Sequence, residues 1–287
     1  MILHVAEAGE QRGRVVLQLT SNEPNPVALQ AALRIAQAFR SEIESLFVED
    51  HQLVELASFP FAREVSLSGR RTRALSPESM AREMHLMAQA ISRRVELLAR
   101  AAEVPCRRRI VRDEPVRALA EACAEHGPWN VVAFADAFNL ANREALRQVF
   151  EQVTGTTGIV LVGPGAKRSD GPVVAAVEDM GRLEPMLRSA QRLLREEGEE
   201  VTLLLIADDE YKGQWMESQA RLALGDTQGV SFIGAFDARG SGAAVAELLR
   251  RMRAGFVIAQ FGGILVPEDG DLRHLASGLE CPMFLMR

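Results

Sequence analysis

The residues that could do chemistry fall in a few short stretches of this 287-residue chain. Arg143 and Arg147 stand one helical turn apart, a spacing that lets two guanidinium groups share an anion. Glu144 and Glu151 lie on the same run, so a solvated face of mutually paired charges is the simpler reading. Lys167 follows glycines in GPGAKRSDG, residues 163–171. The spacing G-x-x-x-x-G-K-[ST] is absent there and no helical pattern starts after Lys167, which points to a connecting segment and not to a phosphate loop. Cys106, Cys123 and Cys281 form an odd set without C-x-x-C spacing, against both structural zinc and a disulfide framework. His4, His51, His85, His126 and His274 occur singly, and His126 beside Gly127 reads as a helix end where a cation is favoured. No G-x-S-x-G occurs, and Gly240-Ser241-Gly242 reads as a turn and helix start. No catalytic residue and no metal site is expected.

One stretch suggests recognition instead. Between Gln52 and Glu78 the chain carries Arg63, Arg70, Arg71 and Arg73 flanked by Phe59, Phe61 and Leu75. Basic and aromatic residues interleaved in this way suit an acidic partner or a membrane surface, while the length of the segment reads as a long irregular surface loop.

The elements that must position these residues follow from hydrophobic period. Short β-branched runs at Arg14 to Thr20, Glu42 to Val48, Cys106 to Val111, Asn130 to Ala135 and Gly158 to Val162 alternate with helical patterns at Pro26 to Arg40, Ser79 to Glu103, Pro115 to His126 and Ala141 to Val153. The second half repeats the order. Its strands are expected at Pro172 to Val177, Glu200 to Ala207, Val230 to Phe236, Gly255 to Gln260 and Pro282 to Met286. Its helices are expected at Leu183 to Glu197, Tyr211 to Leu224, Ala243 to Met252 and Leu272 to Gly278. The starts of the first two strands differ by 28 places in both halves, and the later intervals agree to within one. Only the step from second to third strand differs, 64 places against 30. Duplication of one unit, with an insertion at about 51–78 in the first copy, is the simplest account. Strands alternating with helices predict a parallel sheet covered on both faces. The expected architecture is α/β: a doubly wound five-stranded unit over 1–163, a linker over 164–171 and a second unit over 172–287.

In this order and in local patterns such as RVVLQLTSN, PVALQAALRIAQAFRSEIESLFVED, AEACAEHGPWNVVAFA and ECPMFLMR, the chain resembles the universal stress proteins in tandem form. The resemblance covers about Arg14 to Arg287. It implies a nucleotide-binding type of α/β fold in which Gly158 to Val162 pairs with Pro282 to Met286, giving a pseudo-dimer within one chain, with a further homodimer possible. ATP-binding members carry an acidic residue after the first strand and a motif G-x2-G-x9-G-[ST] after the fourth, because glycines let backbone N–H groups reach phosphate. In the first copy Thr20 takes the acidic position, Ala133 and Asp136 stand where the first two glycines fall, and Leu146 stands at the third. The second copy keeps Gly262 and Gly263, with Glu178 and Asp179 after its first strand. Its loop shortens the spacing to Gly270 and carries Glu268, Asp269 and Asp271, which repel phosphate. The candidate ligand-contacting residues are therefore Thr20, Asp136, Arg143, Arg147, Glu178, Gly262 and Gly263, and no cofactor is expected.

Composition narrows the function. A net charge of −6, with only two lysines among 33 basic residues, argues against general nucleic-acid binding. No apolar run approaches the roughly 20 residues of a membrane-spanning helix. The amino terminus lacks a basic start and an apolar core, so a cytoplasmic address is expected. The leading expectation is a degenerate tandem universal stress protein acting through protein interaction or sensing, with a protein partner at Gln52 to Glu78. The competing one is an ATP- or AMP-binding switch or weak ATPase.

Overall fold

The structure is a computed structural model and describes residues 13–66, 68–125, 129–137, 142–153, 155–195, 199–225, 229–236, 242–263, 265–267 and 278–287. The first half runs β1 (Arg14–Leu19), α1 (Pro26–Ala38), β2 (Glu42–Val48), α2 (His51–Leu56), β3 (Arg63–Val65), β4 (Thr72–Ala74), α3 (Pro77–Ala101), β5 (Cys106–Val111), α4 (Pro115–Ala124), β6 (Asn130–Phe134), α5 (Asn142–Gln152) and β7 (Thr156–Val162). The second runs β8 (Val173–Val177), a 3-10 turn at Met180–Arg182, α6 (Leu183–Arg192), β9 (Val201–Ala207), α7 (Glu210–Leu224), β10 (Val230–Phe236), α8 (Gly242–Arg251), β11 (Phe256–Gln260) and β12 (Pro282–Met286). The short helix expected near the end of the chain, from Leu272, falls almost wholly outside the described residues.

The ten strands outside the insertion form one sheet in the order β10-β9-β8-β11-β12-β7-β6-β1-β2-β5. Each half thus has the strand order 3-2-1-4-5 with parallel neighbours throughout. The halves meet where β12 pairs with β7 antiparallel, Pro282 opposite Val162 and Met286 opposite Gly158. The sequence-based pairing of the two closing strands is therefore present.

Why these segments fold this way is visible locally. Strands such as β8 and β9 are buried along their whole length, as apolar runs in a sheet covered on both faces must be. Helix α1 starts sharply because Asn25 accepts the N–H groups of Val27 at 2.8 Å and Ala28 at 3.3 Å, with Pro26 preset for the first turn. Apolar side chains of α1, α3, α6 and α7 pack on one face of the sheet. Those of α4, α5 and α8 pack on the other. Both layers run unbroken across the β7/β12 seam, so the packing of each half continues into the other.

The insertion departs from the expected irregular loop. Asp50 caps the short helix α2, and β3 and β4 pair as an antiparallel hairpin, Arg63 opposite Ala74 and Val65 opposite Thr72. Arg73 bonds both Glu64 and Glu83, which fixes the hairpin against the start of α3.

Candidate functional site

In a sheet of order 3-2-1-4-5 the chain reverses its winding between the first and fourth strands, and ligands of such folds enter the crevice at the strand carboxyl ends there. The two such crevices lie after β1 and β6 and after β8 and β11. Five of the seven sequence candidates stand at them.

In the first half, Thr20 directly follows β1, and Asp136 lies two places beyond β6. The Thr20 hydroxyl donates to Asp136 Oδ2 at 2.6 Å, and Thr20 Oγ1 accepts the Asn22 N–H at 3.1 Å. The Asn25 N–H donates to the Ala135 carbonyl at 2.8 Å, which draws the start of α1 onto the end of β6. The mouth of this crevice is thus bridged by the protein's own groups. The four residues 138–141 that lead to α5 lie outside the described residues. Arg147 is on α5 and pairs with Glu151 at 3.8 Å, the intrahelical arrangement expected of a solvated face. Arg143 is on the same helix, and its side chain lies outside the description.

In the second half, Glu178 directly follows β8. Its Oε1 accepts the Leu265 N–H at 2.8 Å. Gly263 packs against the Glu178 carboxylate, where a Cβ would collide with Oε2. Gly262 sits at φ +80°, and its N–H donates to the Val266 carbonyl at 2.8 Å. Both glycines therefore have a local reason to be glycine, one a left-handed turn and the other a close approach. The same loop is held across the seam, because Phe261 stacks on Phe150 of α5 with ring centroids 4.1 Å apart. Asp179 caps the 3-10 turn through the Gly181 N–H. Glu268, Asp269 and Gly270 fall outside the described residues, as does Asp271.

A third polar cluster at the strand carboxyl ends was missed in the sequence. Glu49, directly after β2, is 6% exposed and accepts from Arg112 at 3.0 Å, with His85 Nδ1 at 3.2 Å. His85 Nε2 lies 2.9 Å from the Gln89 amide nitrogen. Both ring nitrogens of His85 are thus within hydrogen-bond distance of a partner. The residues are 36 and 63 places from Glu49, and only the pairing of β2 with β5 and the packing of α3 bring them together.

The thiols are quiet. Burial pushes Cys123 up to about 11 and Cys281 up to about 12, and it raises Cys106 as well. None has the lowered value of a reactive cysteine. Among the described residues no cluster of His, Cys, Asp and Glu has a metal-holding arrangement, and no helix is long and apolar enough to cross a membrane.

No protein-family model matches the chain, and no curated protein matches it either. Solved structures do. A protein of unknown function from Pseudomonas aeruginosa PAO1 matches with a TM-score of 0.57 at 12% identity, over 96% of this chain and 93% of its own. A universal stress protein from Archaeoglobus fulgidus DSM 4304 matches with a TM-score of 0.56 at 12% identity, over 95% and 96%. The cytoplasmic domain of a prokaryotic cation chloride cotransporter matches with a TM-score of 0.53 at 12% identity, over 96% and 95%. These likenesses run across both halves, and with the 3-2-1-4-5 order in each they give this chain the universal stress protein fold in tandem.

Proposed function

We propose that this chain is a degenerate tandem protein of the universal stress type that acts by binding a partner in a stress response, not by turning over ATP. One observation carries the reading: at both switch points the residue after the first strand reaches across to the loop after the fourth. Thr20 holds Asp136, and Glu178 holds the Leu265 N–H while packing on Gly263. These are the places where a nucleotide-binding relative needs an open acidic residue and bare glycines.

The surface for a partner is the insertion. Phe61 is 75% exposed and Val65 58%, and Phe59 stacks on Phe61 at 5.4 Å, so an aromatic pair faces water. Arg63, Arg70 and Arg71 are exposed beside it and have no ion pair among the described residues. A partner with an acidic rim around an apolar patch suits this combination. The chain's net charge of −6 makes the basic hairpin a local exception, which favours one docking orientation. A cytoplasmic setting is part of the same proposal.

The test is calorimetric titration of the purified chain with ATP, ADP and AMP, with and without magnesium. No saturable heat is expected up to about millimolar nucleotide, a Kd that corresponds to only about −4 kcal/mol. Micromolar binding of any of the three overturns the reading and favours a nucleotide-binding switch.

A further inference from the structure

A cleft of about 890 Å³ opens between the halves, on the sheet face that carries α1 and α6. It lies at the amino ends of the first-half strands, opposite the first-half crevice, and because β7 and β12 are antiparallel this is also the edge where the second-half strands end. Gly13 and Trp129 stand beside those strand starts, Phe39 and Arg40 end α1, Arg188 and Arg192 project from α6, and Phe284 and Met286 of β12 form the floor. Arg40 and Arg188 are exposed, and Arg192 lies over the Phe39 ring at 5.5 Å.

The internal repeat says what such a cleft accepts. Leu19 and Val177 end equivalent strands 158 places apart. The same offset relates the buried faces of the two helices: Ala28, Leu29, Ala31 and Ala32 of α1 correspond to Met186, Leu187, Ser189 and Ala190 of α6. It also relates Gly13 to Gly171, Arg34 to Arg192, Gln30 to Arg188 and Val27 to Pro185. The pseudo-twofold at the β7/β12 seam therefore gives the cleft a mate on the other side.

That mate is filled by peptide from this chain, the linker 163–170. Ala166 packs on Val27 and Val162. The N–H groups of Lys167 and Arg168 donate to the Glu280 carbonyl at 2.9 and 3.2 Å, and Arg168 Nε donates to the Ala254 carbonyl at 3.2 Å. Ser169 bonds Gln30 through its hydroxyl at 3.0 Å and receives Arg34 on its carbonyl at 2.5 Å. By the repeat, the positions equivalent to Val27, Gln30, Arg34, Val162 and Ala254 are Pro185, Arg188, Arg192, Met286 and Trp129. All five line the cleft.

We propose that this cleft is a peptide-binding groove, which takes an extended segment of a partner protein with small side chains and acidic residues. Arg192 takes a backbone carbonyl of the peptide as Arg34 takes that of Ser169. Arg188, standing where the mate has neutral Gln30, meets an acidic side chain, and Arg40 adds a second cation at the mouth. The groove is more cationic than its mate, and this charge selects acidic peptides over the linker's own basic sequence.

The probe is a fluorescein-labelled peptide GPGAEESD, the linker sequence with both basic positions made acidic, read by anisotropy against the full chain. Saturable binding is expected, at least tenfold tighter than for GPGAKRSD. Arg192→Glu and Arg188→Glu, both on exposed positions, should each weaken it tenfold or more while leaving the melting temperature unchanged. Equal binding of both peptides, or binding that ignores both charge reversals, overturns the proposal. So does the absence of saturable binding at millimolar peptide, which is also the result if the first twelve residues of the chain fill the groove. Nucleotide heats are read without peptide and peptide anisotropy without nucleotide, so failure here and failure of the proposed function are separate results.

Discussion

Arg34 is 4% exposed, and its partners are carbonyls, not carboxylates: Leu193 at 3.0 and 2.6 Å and Ser169 at 2.5 Å. Burial, then the nearby charge of Arg195, lowers it to about 10. A cation kept at that cost joins α1 of one half to the linker and α6 of the other. Arg34→Met removes the donors from two buried carbonyls, each worth about 1–3 kcal/mol when left bare, and returns part of the desolvation cost. A net loss of about 2 kcal/mol in urea unfolding is expected, and no change would remove Arg34 as a tie between the halves. The thiols give a pH prediction. The folded state raises Cys123 from 9.0 to about 11 and Cys281 from 9.0 to about 12, so it binds these protons more tightly than the unfolded chain. Their contribution is fully present below about pH 9 and is lost as pH rises through the folded values. Urea midpoints measured from pH 8 to 11 should therefore fall less steeply in a Cys123→Ala, Cys281→Ala double variant than in the parent chain. Parallel curves would show that neither thiol contributes.

In the insertion, α2 has no buried residue and β3 and β4 are exposed throughout. Phe59 and Phe61 are exposed and belong to neither core layer, so Phe59→Ser with Phe61→Ser should leave the melting temperature within about 2 °C while cutting binding of a hydrophobic dye by half or more. Undiminished dye binding would place the apolar patch elsewhere. A deletion in this hairpin has to stop before Ser76, whose hydroxyl accepts the Ser79 N–H at 3.1 Å and starts α3. Removing residues 66–71 keeps that cap. This hairpin also marks where sequence reasoning ran out. The strands of the main sheet were legible because buried β-branched runs recur at fixed intervals, and the offset of 158 survives in the burial of α1 and α6. Strands β3 and β4 have three exposed residues each and show no alternation to read. Site closure was illegible for another reason. Thr20 and Asp136 are 116 places apart, and Glu178 and Leu265 are 87 apart, so their bonds depend on strand register and loop path, not on local pattern. Gly262 and Gly263 looked like remnants of a phosphate loop because a sequence does not distinguish a glycine facing a ligand from one facing Glu178.

At the scale of the whole molecule, ten strands share one sheet, and the antiparallel seam of β7 with β12 is where the two repeats join. Gly158 sits opposite Met286 in that seam, and a Cβ there would overlap the Phe284 ring and come within 2.7 Å of the Leu285 carbonyl. Valine is otherwise a favoured strand residue, so Gly158→Val tests the seam by sterics without a penalty in strand propensity. The two tryptophans divide between the halves, Trp129 before β6 and Trp215 on α7, so Trp129→Phe and Trp215→Phe backgrounds report one half each. With glycine at 158, both backgrounds should unfold in urea at the same midpoint, as one cooperative unit does. With valine at 158, the ring of Phe284 and the β12 backbone must shift. The core layers that span the seam then lose contact on both faces of the sheet. Two separated midpoints are expected, both below the parent value, because each half keeps its own helices but exposes a seam strand. Coincident midpoints at the parent value would mean that the seam tolerates the side chain and that the cooperativity resides in Arg34 and the linker instead.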